Sequence, residues 1–456
     1  MILFFIRSQP IPDWLFYQEK QVRSIETTEK QLEKAVLAGL AASSMDEKDR
    51  SCEETMEELE ELVKTAGAQP VGMLLQNRPT PDPGTFLGDG KVEELREYAE
   101  YNQCDLAVFD NELSPSQMRV LEERLGIRVL DRTGLILDIF AQRARTREGQ
   151  LQVELAQYQY LLPRLTGMWT HLVRQTAGGG KSPVGTRGPG ETQLETDRRH
   201  IRRKIQKLEE ELEDVRKIRA NQRRSREKNN TPVVCLVGYT NAGKSTLLNQ
   251  LTGAEIPAND RLFDTLDTTT RKRKIGPSQE IMISDTVGFI RHLPTTLVEA
   301  FKATLEELEF ADVIVNVIDI SNPDWPDQAE VVEDLLRQLQ VEKTPCIRAF
   351  NKCDKYLGIL PHGEDTVCIS AKTGEGIDQL IDAIRQQLER NAVIVTLQIP
   401  YSDAGVVEQI SAVTAIQETS YENDGIYIRT VIDRDRVRQF KKYIPGYTEP
   451  KEEWEL

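Results

Sequence analysis

The stretch with the clearest chemistry is PVVCLVGYTNAGKSTLLNQL, residues 232–251, whose pattern predicts a strand, a glycine loop and a helix. It fits G-x-x-x-x-G-K-[ST] with Gly238, Gly243, Lys244 and Ser245. In such loops backbone N–H groups surround phosphate oxygens, the lysine bridges the terminal phosphates and the hydroxyl binds Mg²⁺. An ordinary glycine turn lacks this strand and helix, so we predict a nucleotide phosphate loop. Its residues are Gly238, Tyr239, Thr240, Asn241, Ala242, Gly243, Lys244, Ser245 and Thr246.

Two later segments predict that the base is guanine. FNKCD follows the apolar strand PCIRAF, and its carboxylate at Asp354 can accept from the guanine N1–H and exocyclic amine. Adenine lacks this donor pair and would leave a buried carboxylate unpaired. ISAKTGEG, which follows the strand DTVCIS, would complete the pocket. The predicted base-binding residues are Asn351, Lys352, Cys353, Asp354, Ser370, Ala371 and Lys372.

Two segments between these loops have the positions of the switches of a GTPase. IMISDTVGF supplies D-x-x-G at a strand end, so we expect Asp285 to reach Mg²⁺ through water and the Gly288 amide to sense the γ-phosphate. In RLFDTLDTTTR we favour Thr265, 20 residues after Ser245, as a Mg²⁺ ligand over Thr268, Thr269 or Thr270. The alternative for this second segment is a plain polar turn. The nucleotide-contacting residues predicted here are Phe263, Asp264, Thr265, Leu266, Asp267, Asp285, Thr286, Val287 and Gly288.

The predicted reaction is in-line attack of water on the γ-phosphate of GTP, catalysed mostly by positioning and charge neutralisation. The residues that we predict to catalyse this reaction are Lys244, Thr265 and Gly288. Ras-like GTPases orient the water with a glutamine after D-x-x-G, whereas this chain has Phe289, so we expect slow turnover that depends on a partner. Asn241 resembles the asparagine with which some cation-activated GTPases hold K⁺, which makes K⁺ activation a hypothesis.

Composition limits the classes of protein to consider. The chain has 456 residues, 39% of them hydrophobic, and a net charge of −16, which argues against a general nucleic-acid binder and against DNA as a partner. None of the six cysteines forms C-x-x-C, so we expect reduced thiols. MILFFI at the start is too short to span a bilayer. We therefore expect a cytoplasmic monomer without integral membrane association.

The pattern of apolar residues predicts an α/β multidomain protein. Residues 1–32 form an extension that we leave uninterpreted. Strands alternating with helices predict an N-terminal α/β domain over 33–145. A helical hairpin over 146–230 precedes a GTPase domain over 231–391 and a small α+β domain over 392–456.

The hairpin is predicted from a heptad seam and carries a local basic charge. Apolar residues recur on each predicted helix, and Pro163 is expected to end or kink the first. Residues 198–228 contain 13 Lys and Arg against 6 Asp and Glu, opposite in sign to the whole chain. A solvated helix face is the usual cause, but the sign favours a phosphate-rich partner. The predicted seam residues of the second helix are Leu194, Ile201, Ile205, Leu208, Leu212 and Val215.

GGGKSPVGTRGPGETQLETDRRH, residues 178–200, joins the two helices, and we predict that it is the tip of the hairpin. No strand precedes it and no G-K-[ST] closes it, so it is not a second phosphate loop. Its glycines would let the backbone approach RNA closely. The predicted RNA contacts are Lys181, Arg187, Arg198, Arg199, Arg202 and Arg203.

GTRGPGETQLETDRR, together with GYTNAGKST, FDTLDTTTR and DTVGFIRHLP, resembles the HflX family of ribosome-associated GTPases from about residue 34 to the end. The resemblance implies the four domains above, GTP and GDP as ligands, and binding to the 50S ribosomal subunit and its rRNA. It also implies ribosome splitting or rescue in at least some members. Three departures are Asp264 and Thr268 in the first switch, Asp89 where a lysine is common, and an insertion, KSPV, after Gly180. Asp264 could weaken nucleotide binding if it points inward.

Two rival functions remain open from the sequence. The chain could be a GTP-timed regulatory switch that binds a protein through the helical seam, in which case polar substitutions at Ile205 or Leu212 would damage it. An ATP-using kinase or RNA helicase is disfavoured by Asn351 and Asp354, since these predict guanine rather than adenine.

Overall fold

The structure is a computed structural model that describes residues 32–45, 50–176, 189–228, 231–254, 262–263, 266, 269–275, 280–291, 307–341, 343–390, 392–407, 410, 415–433 and 438–445. The helices are α1 (Glu53–Ala66), α2 (Asp89–Asn102), α3 (Pro115–Leu125), α4 (Arg132–Arg143), α5 (Arg147–Thr176), α6 (Pro189–Lys228), α7 (Lys244–Thr252), α8 (Trp325–Gln338) and α9 (Ile377–Arg390). The strands are β1 (Lys34–Ala42), β2 (Gln69–Arg78), β3 (Leu106–Phe109), β4 (Arg128–Asp131), β5 (Val233–Gly238), β6 (Thr269–Lys274), β7 (Glu280–Asp285), β8 (Val313–Asp319), β9 (Cys346–Asn351), β10 (Thr366–Cys368), β11 (Ala392–Ile399), β12 (Ala415–Glu422) and β13 (Gly425–Asp433). The predicted α/β multidomain fold is confirmed.

The N-terminal sheet is parallel, with the order β2-β1-β3-β4. Helices α1 and α4 cover one face and α2 and α3 the other, as the two apolar clusters on either side of the sheet indicate. The alternating pattern of the sequence predicts these strands and the first three helices. It misses α4, because GLILDIF is apolar on most sides and gives no clear helical period.

Helices α5 and α6 pack on each other along the predicted seam. Leu151 and Leu155 of α5 form a buried cluster with Leu208 and Leu212 of α6. Pro163 lies inside α5 and the helix continues beyond it, so it does not end there. Tyr160 and Arg164, on either side of this proline, both bind Asp131 at 2.7 and 3.1 Å, which secures the helix where the proline removes a hydrogen bond.

The GTPase domain contains a six-stranded sheet in the order β10-β9-β8-β5-β7-β6, parallel except for β6. The phosphate loop follows β5, D-x-x-G ends β7, and the two base-binding segments follow β9 and β10. The carboxyl ends of parallel strands meet at one edge of a sheet. The topology therefore brings all four predicted motifs to the same edge.

The N-terminal and GTPase domains share one apolar core. The apolar residues of α4 belong to the same buried cluster as Tyr239, Phe263, Val287 and Phe289 of the GTPase domain; they are Leu135, Ile136, Leu137, Ile139 and Phe140. The Phe140 and Phe263 rings pack edge to face with centroids 4.7 Å apart. The C-terminal sheet, ordered β11-β13-β12 and antiparallel, has a separate apolar cluster that includes Leu397, Ile428 and Phe440.

Candidate functional site

The phosphate loop requires glycine at two points. Gly238 has φ of 149°, and a Cβ there would overlap the Val317 carbonyl oxygen of the neighbouring strand. Gly243 has φ of 94°, and a Cβ there would overlap the Asn351 side-chain amide. Both positions combine a left-handed backbone with close approach, so a side chain would displace the loop.

Lys244 is buried at the start of α7 and folds back on its own loop. Its Nζ donates to the carbonyl oxygens of Gly238 and Tyr239 at 3.0 and 2.8 Å. Burial lowers the pKa of this lysine to about 8, while Asp285 opposes the shift. The cation therefore already lies within the loop that the sequence assigns to the phosphates.

Ser245 and Asp285 meet at the end of the loop. The Ser245 hydroxyl donates to Asp285 Oδ2 at 2.6 Å, and Asp285 is fully buried. Its Oδ1 has no hydrogen-bond partner among the described residues. Burial raises the pKa of this carboxyl, and Lys244 partly offsets the effect. A buried carboxylate oxygen beside a hydroxyl fits Mg²⁺, a hard cation that prefers oxygen ligands and retains water.

No group of three or more His, Cys, Asp or Glu side chains that could hold a metal occurs in the part of the chain that the structure describes.

The D-x-x-G segment lies directly against the phosphate loop. Phe289 N–H donates to the Gly238 carbonyl at 3.1 Å, and Thr240 N–H donates to the Phe289 carbonyl at 2.7 Å. A Cβ at Gly288 would come within 3.1 Å of Lys244 Nζ. Phe289 is 1% exposed and packs in the shared core. Its ring is thus a core side chain and offers no polar group for orienting water.

Asn351 links the phosphate loop to the base-binding segments. Its amide nitrogen donates to the Ala242 carbonyl at 2.8 Å, and its amide oxygen accepts from Ala371 N–H at 2.9 Å. Ser370 donates to Asp354 Oδ1 at 2.7 Å, which orients the carboxylate that the sequence assigns to guanine. The three predicted segments therefore form one hydrogen-bonded unit.

Lys352 is held by an acceptor that the sequence analysis did not single out. Its Nζ lies 2.7 Å from Asp319 Oδ2 at the end of β8. An acidic residue that ends the buried run VIVNVID is the signal that could have found it, because β8 ends at the same sheet edge as the predicted motifs.

A second connection that the sequence did not predict joins the phosphate loop to the N-terminal domain. The Tyr239 hydroxyl donates to Glu58 Oε1 and accepts from Arg291 N–H at 2.8 Å. Glu58 also pairs with Arg132, which is 1% exposed and lies 2.6 Å from Asp110. Glu58, Arg132 and Asp110 are all more than a hundred residues from Tyr239 in sequence, so no local pattern indicates them.

The structure describes four of the six predicted RNA contacts. Arg199, Arg202 and Arg203 are exposed on α6, and Arg198 is half-buried. Several other predicted site residues lie outside the described residues, together with the extension 1–31 and the inserted KSPV. These are Lys181, Arg187, Asp264, Thr265, Asp267 and the alternative ligand Thr268.

Within the described residues, no helix has the length and apolar character needed to cross a membrane.

Three family profiles match the chain in succession. Their descriptions are "GTP-binding GTPase N-terminal" for residues 53–141, "GTP-binding GTPase Middle Region" for 143–226 and "50S ribosome-binding GTPase" for 233–352.

Curated relatives match most of the chain. The GTPase HflX of Caldanaerobacter subterraneus subsp. tengcongensis is 45% identical over 420 residues, which cover 91% of this chain and 95% of that protein. The GTPase HflX of Lacrimispora saccharolytica is 46% identical over 407 residues, covering 88% and 94%. Among solved structures, a GTP-binding protein of Sulfolobus solfataricus in complex with GDP is 25% identical, with a TM-score of 0.41 and coverage of 79% of this chain and 99% of that one.

Proposed function

The chain belongs to the HflX family of GTPases and hydrolyses GTP, as the sequence predicts, and from this premise we propose that it binds the 50S ribosomal subunit and acts in ribosome splitting, rescue or biogenesis. The observation that supports this most is the exposed basic surface of α6 in a chain of net charge −16. Local fields, rather than net charge, attract a polyanion such as rRNA. Because its proposed partner is the ribosome, we propose a cytoplasmic location.

We propose that Ser245 and Thr265 bind Mg²⁺ directly and that Asp285 does so through water. When bound, the ion neutralises charge that develops on the phosphate oxygens. Lys244, released from the Gly238 and Tyr239 carbonyls, would bind the terminal phosphates, and the Gly288 amide would fix the γ-phosphate. Asp354, oriented by Ser370, would accept from guanine.

Slow intrinsic turnover follows from Phe289, whose buried ring replaces a group that could orient water. The ribosome would then supply the missing positioning, which makes hydrolysis conditional on docking. We further propose that Asn241 holds K⁺ in the transition state. Equal GTPase rates in KCl and NaCl, measured with and without 50S subunits, would reject the role of K⁺. The proposed ribosomal function would not be affected.

The experiment that tests the ribosomal function is sedimentation with 50S and 70S particles in the presence of GDP or a non-hydrolysable GTP analogue. We expect the protein to bind the particles more tightly in one nucleotide state than in the other. The affinity should fall steeply as the salt concentration rises. Absence of co-sedimentation in both states would overturn the proposal.

Neutralising the basic surface tests the contact itself. Arg199→Gln, Arg202→Gln and Arg203→Gln together should weaken 50S binding and reduce the salt slope by about one per lost phosphate contact. Lys207→Gln with Lys217→Gln is the control, because both lysines already pair with acidic residues of α6, at 3.7 and 3.0 Å.

The alternative, a switch that binds a protein through the seam, has less support. Leu208 and Leu212 are 6% and 7% exposed because they pack against α5. These side chains are therefore already occupied within the hairpin. We propose a monomer for the same reason.

A further inference from the structure

Arg219 lies between the hairpin and the GTPase domain. It is on α6, and its guanidinium pairs with Glu148 of α5 at 2.8 Å and with Glu307 of the GTPase domain at 3.6 Å. All three side chains are largely buried, with 20%, 13% and 17% exposure. Salt and solvent screen partly buried pairs less than exposed ones, so a small displacement changes their interaction energy more.

Glu307 continues this contact into the sheet of the GTPase domain. While Oε1 faces Arg219, Oε2 accepts from the Ser284 hydroxyl at 3.1 Å. Ser284 is 1% exposed and is the residue before Asp285 on β7. A charged group at the domain surface is thus in direct contact with the strand that presents the carboxylate proposed for the Mg²⁺ site.

Ser284 in turn contacts the strand that follows the first switch. Its hydroxyl lies 3.2 Å from the Thr270 hydroxyl on β6, directly opposite in the antiparallel pair. The next pair in this register is Thr269 with Asp285. Any shift of β6 against β7 would therefore move the chain on both sides of the Mg²⁺ site.

These contacts form one continuous path from the hairpin to the switches, which we name the hairpin relay: Glu148, Arg219, Glu307, Ser284 and Thr270. A purely structural role would require only that Glu307 cap or anchor its neighbours. The path instead ends at the two strands that hold Asp285 and lead out of the first switch, and it starts on the helix whose basic surface is proposed to meet rRNA.

We propose that Glu307 is a positioning residue that couples the hairpin to the Mg²⁺ end of the nucleotide site. Docking of α6 on rRNA moves Arg219, the Arg219–Glu307 pair changes, and Ser284 passes the change to β6 and β7. The proposal rests on the proposed ribosomal function for its biological signal. The relay itself is a property of the free protein.

The test uses Glu307→Gln, which keeps an oxygen for the Ser284 hydroxyl but removes the charge facing Arg219, and Arg219→Gln. In both variants we expect unchanged co-sedimentation with 50S and intrinsic hydrolysis close to that of the wild type. Stimulation of hydrolysis by 50S should fall about tenfold, the usual size of coupling between distant sites. The double variant should lose no more than either single variant, since both act through one contact.

The matched control is Arg147→Gln. Arg147 also joins the two hairpin helices, through Glu211 at 3.3 Å, but it is 82% exposed and lies off the relay. We expect wild-type stimulation. Wild-type stimulation in Glu307→Gln, or additive losses in the double variant, would overturn the relay and leave the ribosomal function standing.

A second measurement does not need the ribosome. Amide hydrogen exchange of Thr269 and Thr270 should be faster in Glu307→Gln and Arg219→Gln than in the wild type and Arg147→Gln. Equal exchange in all four proteins would overturn the relay even if 50S binding succeeded. Faster exchange in a protein that failed to bind 50S would support the relay and reject the ribosomal function.

Discussion

The Tyr239 hydroxyl is the point where three parts of the molecule meet. It binds Glu58 of the N-terminal domain and Arg291 N–H after the second switch, while the Tyr239 carbonyl accepts from Lys244. Burial, and then Glu58, raise the pKa of Tyr239 well above its ordinary value, so the hydroxyl remains a donor. One small group therefore holds the phosphate loop, the second switch and the N-terminal domain in register.

Tyr239→Phe removes this hydroxyl without changing the ring. We expect a loss of about 1–3 kcal/mol in unfolding free energy, because the Arg291 N–H and Glu58 lose a partner. Release of a fluorescent GDP analogue should also become faster. Tyr160→Phe is the control, since its half-buried hydroxyl joins α5 of the hairpin to Asp131 of the N-terminal domain and does not contact the phosphate loop. It should lower stability similarly while leaving GDP release unchanged, and equal release from both variants would contradict the role of Tyr239.

Alanine substitutions at Gly238 and Gly253 distinguish the cost of backbone strain from the cost of steric overlap. Both have left-handed φ, 149° and 65°, but a Cβ at Gly253 meets nothing within 4 Å, whereas one at Gly238 overlaps the Val317 carbonyl. We expect Gly253→Ala to cost about 1 kcal/mol. Gly238→Ala should cost roughly 3 kcal/mol or more. Urea unfolding measures both, and equal costs would show that the overlap is relieved by movement of the loop.

At the residue scale, the sequence predicts the nucleotide site from motifs that are local. The phosphate loop and the base-binding segments each occupy a few consecutive residues, and the structure brings them to one sheet edge. Asp319, Glu58 and Glu307 escaped prediction because each acts on a partner far along the chain or from another domain. A single sequence has no signal for the pairs of Glu58 and Glu307, whereas the acidic end of the buried run VIVNVID is a signal for Asp319.

Among the elements, the hairpin depends on a narrow seam rather than on intrinsic helix stability. Leu208 and Leu212 pack on Leu151 and Leu155, while Ile218, further along α6, is 58% exposed. Most of the surface of α6 is charged, so the few buried leucines provide most of the packing free energy.

Leu212→Ala should therefore lower the unfolding free energy by about 2–3 kcal/mol, through lost burial and a cavity in the seam. Ile218→Ala, on the same helix, should change it by less than about 0.5 kcal/mol, since the side chain is already exposed to solvent. Thermal or urea unfolding followed by circular dichroism distinguishes them. Similar losses of unfolding free energy from both substitutions would mean that packing of α5 against α6 does not stabilise the protein.

Element boundaries show where pattern arguments succeed and fail. Alternating strands and helices are visible because each buries one face. Helix α4 was missed because the N-terminal sheet covers one side of it and the GTPase domain the other, so that its apolar residues lack a helical period. Pro163 was expected to end or kink α5. The helix does not end there, and Tyr160 and Arg164 on either side of the proline both bind Asp131.

For the whole molecule, the shared core packs the N-terminal domain against the two predicted switch segments. Phe263 lies in the first switch segment and Val287 in the second, and both pack in the cluster that contains Phe140. The C-terminal sheet has its own cluster. Nucleotide binding should therefore stabilise the N-terminal domain but not the C-terminal domain.

Hydrogen exchange with GDP at about 100 times its Kd tests this distribution. Binding should stabilise the folded protein by about 2.7 kcal/mol. We expect slower exchange in β3 of the N-terminal domain as well as in β5, and unchanged exchange in β13. Protection confined to the GTPase domain would mean that the shared core does not transmit binding free energy.

The basic edge strand β6 has a consequence for association between copies. Its sequence TTRKRK places four cations in a row at the rim of the sheet, and the opposite rim, β10, is three residues long. Strand-to-strand addition of a second molecule along β6 would bring eight positive charges together, and β10 is too short to template a ladder. We therefore expect strand-to-strand addition between copies to be disfavoured at both rims of this sheet.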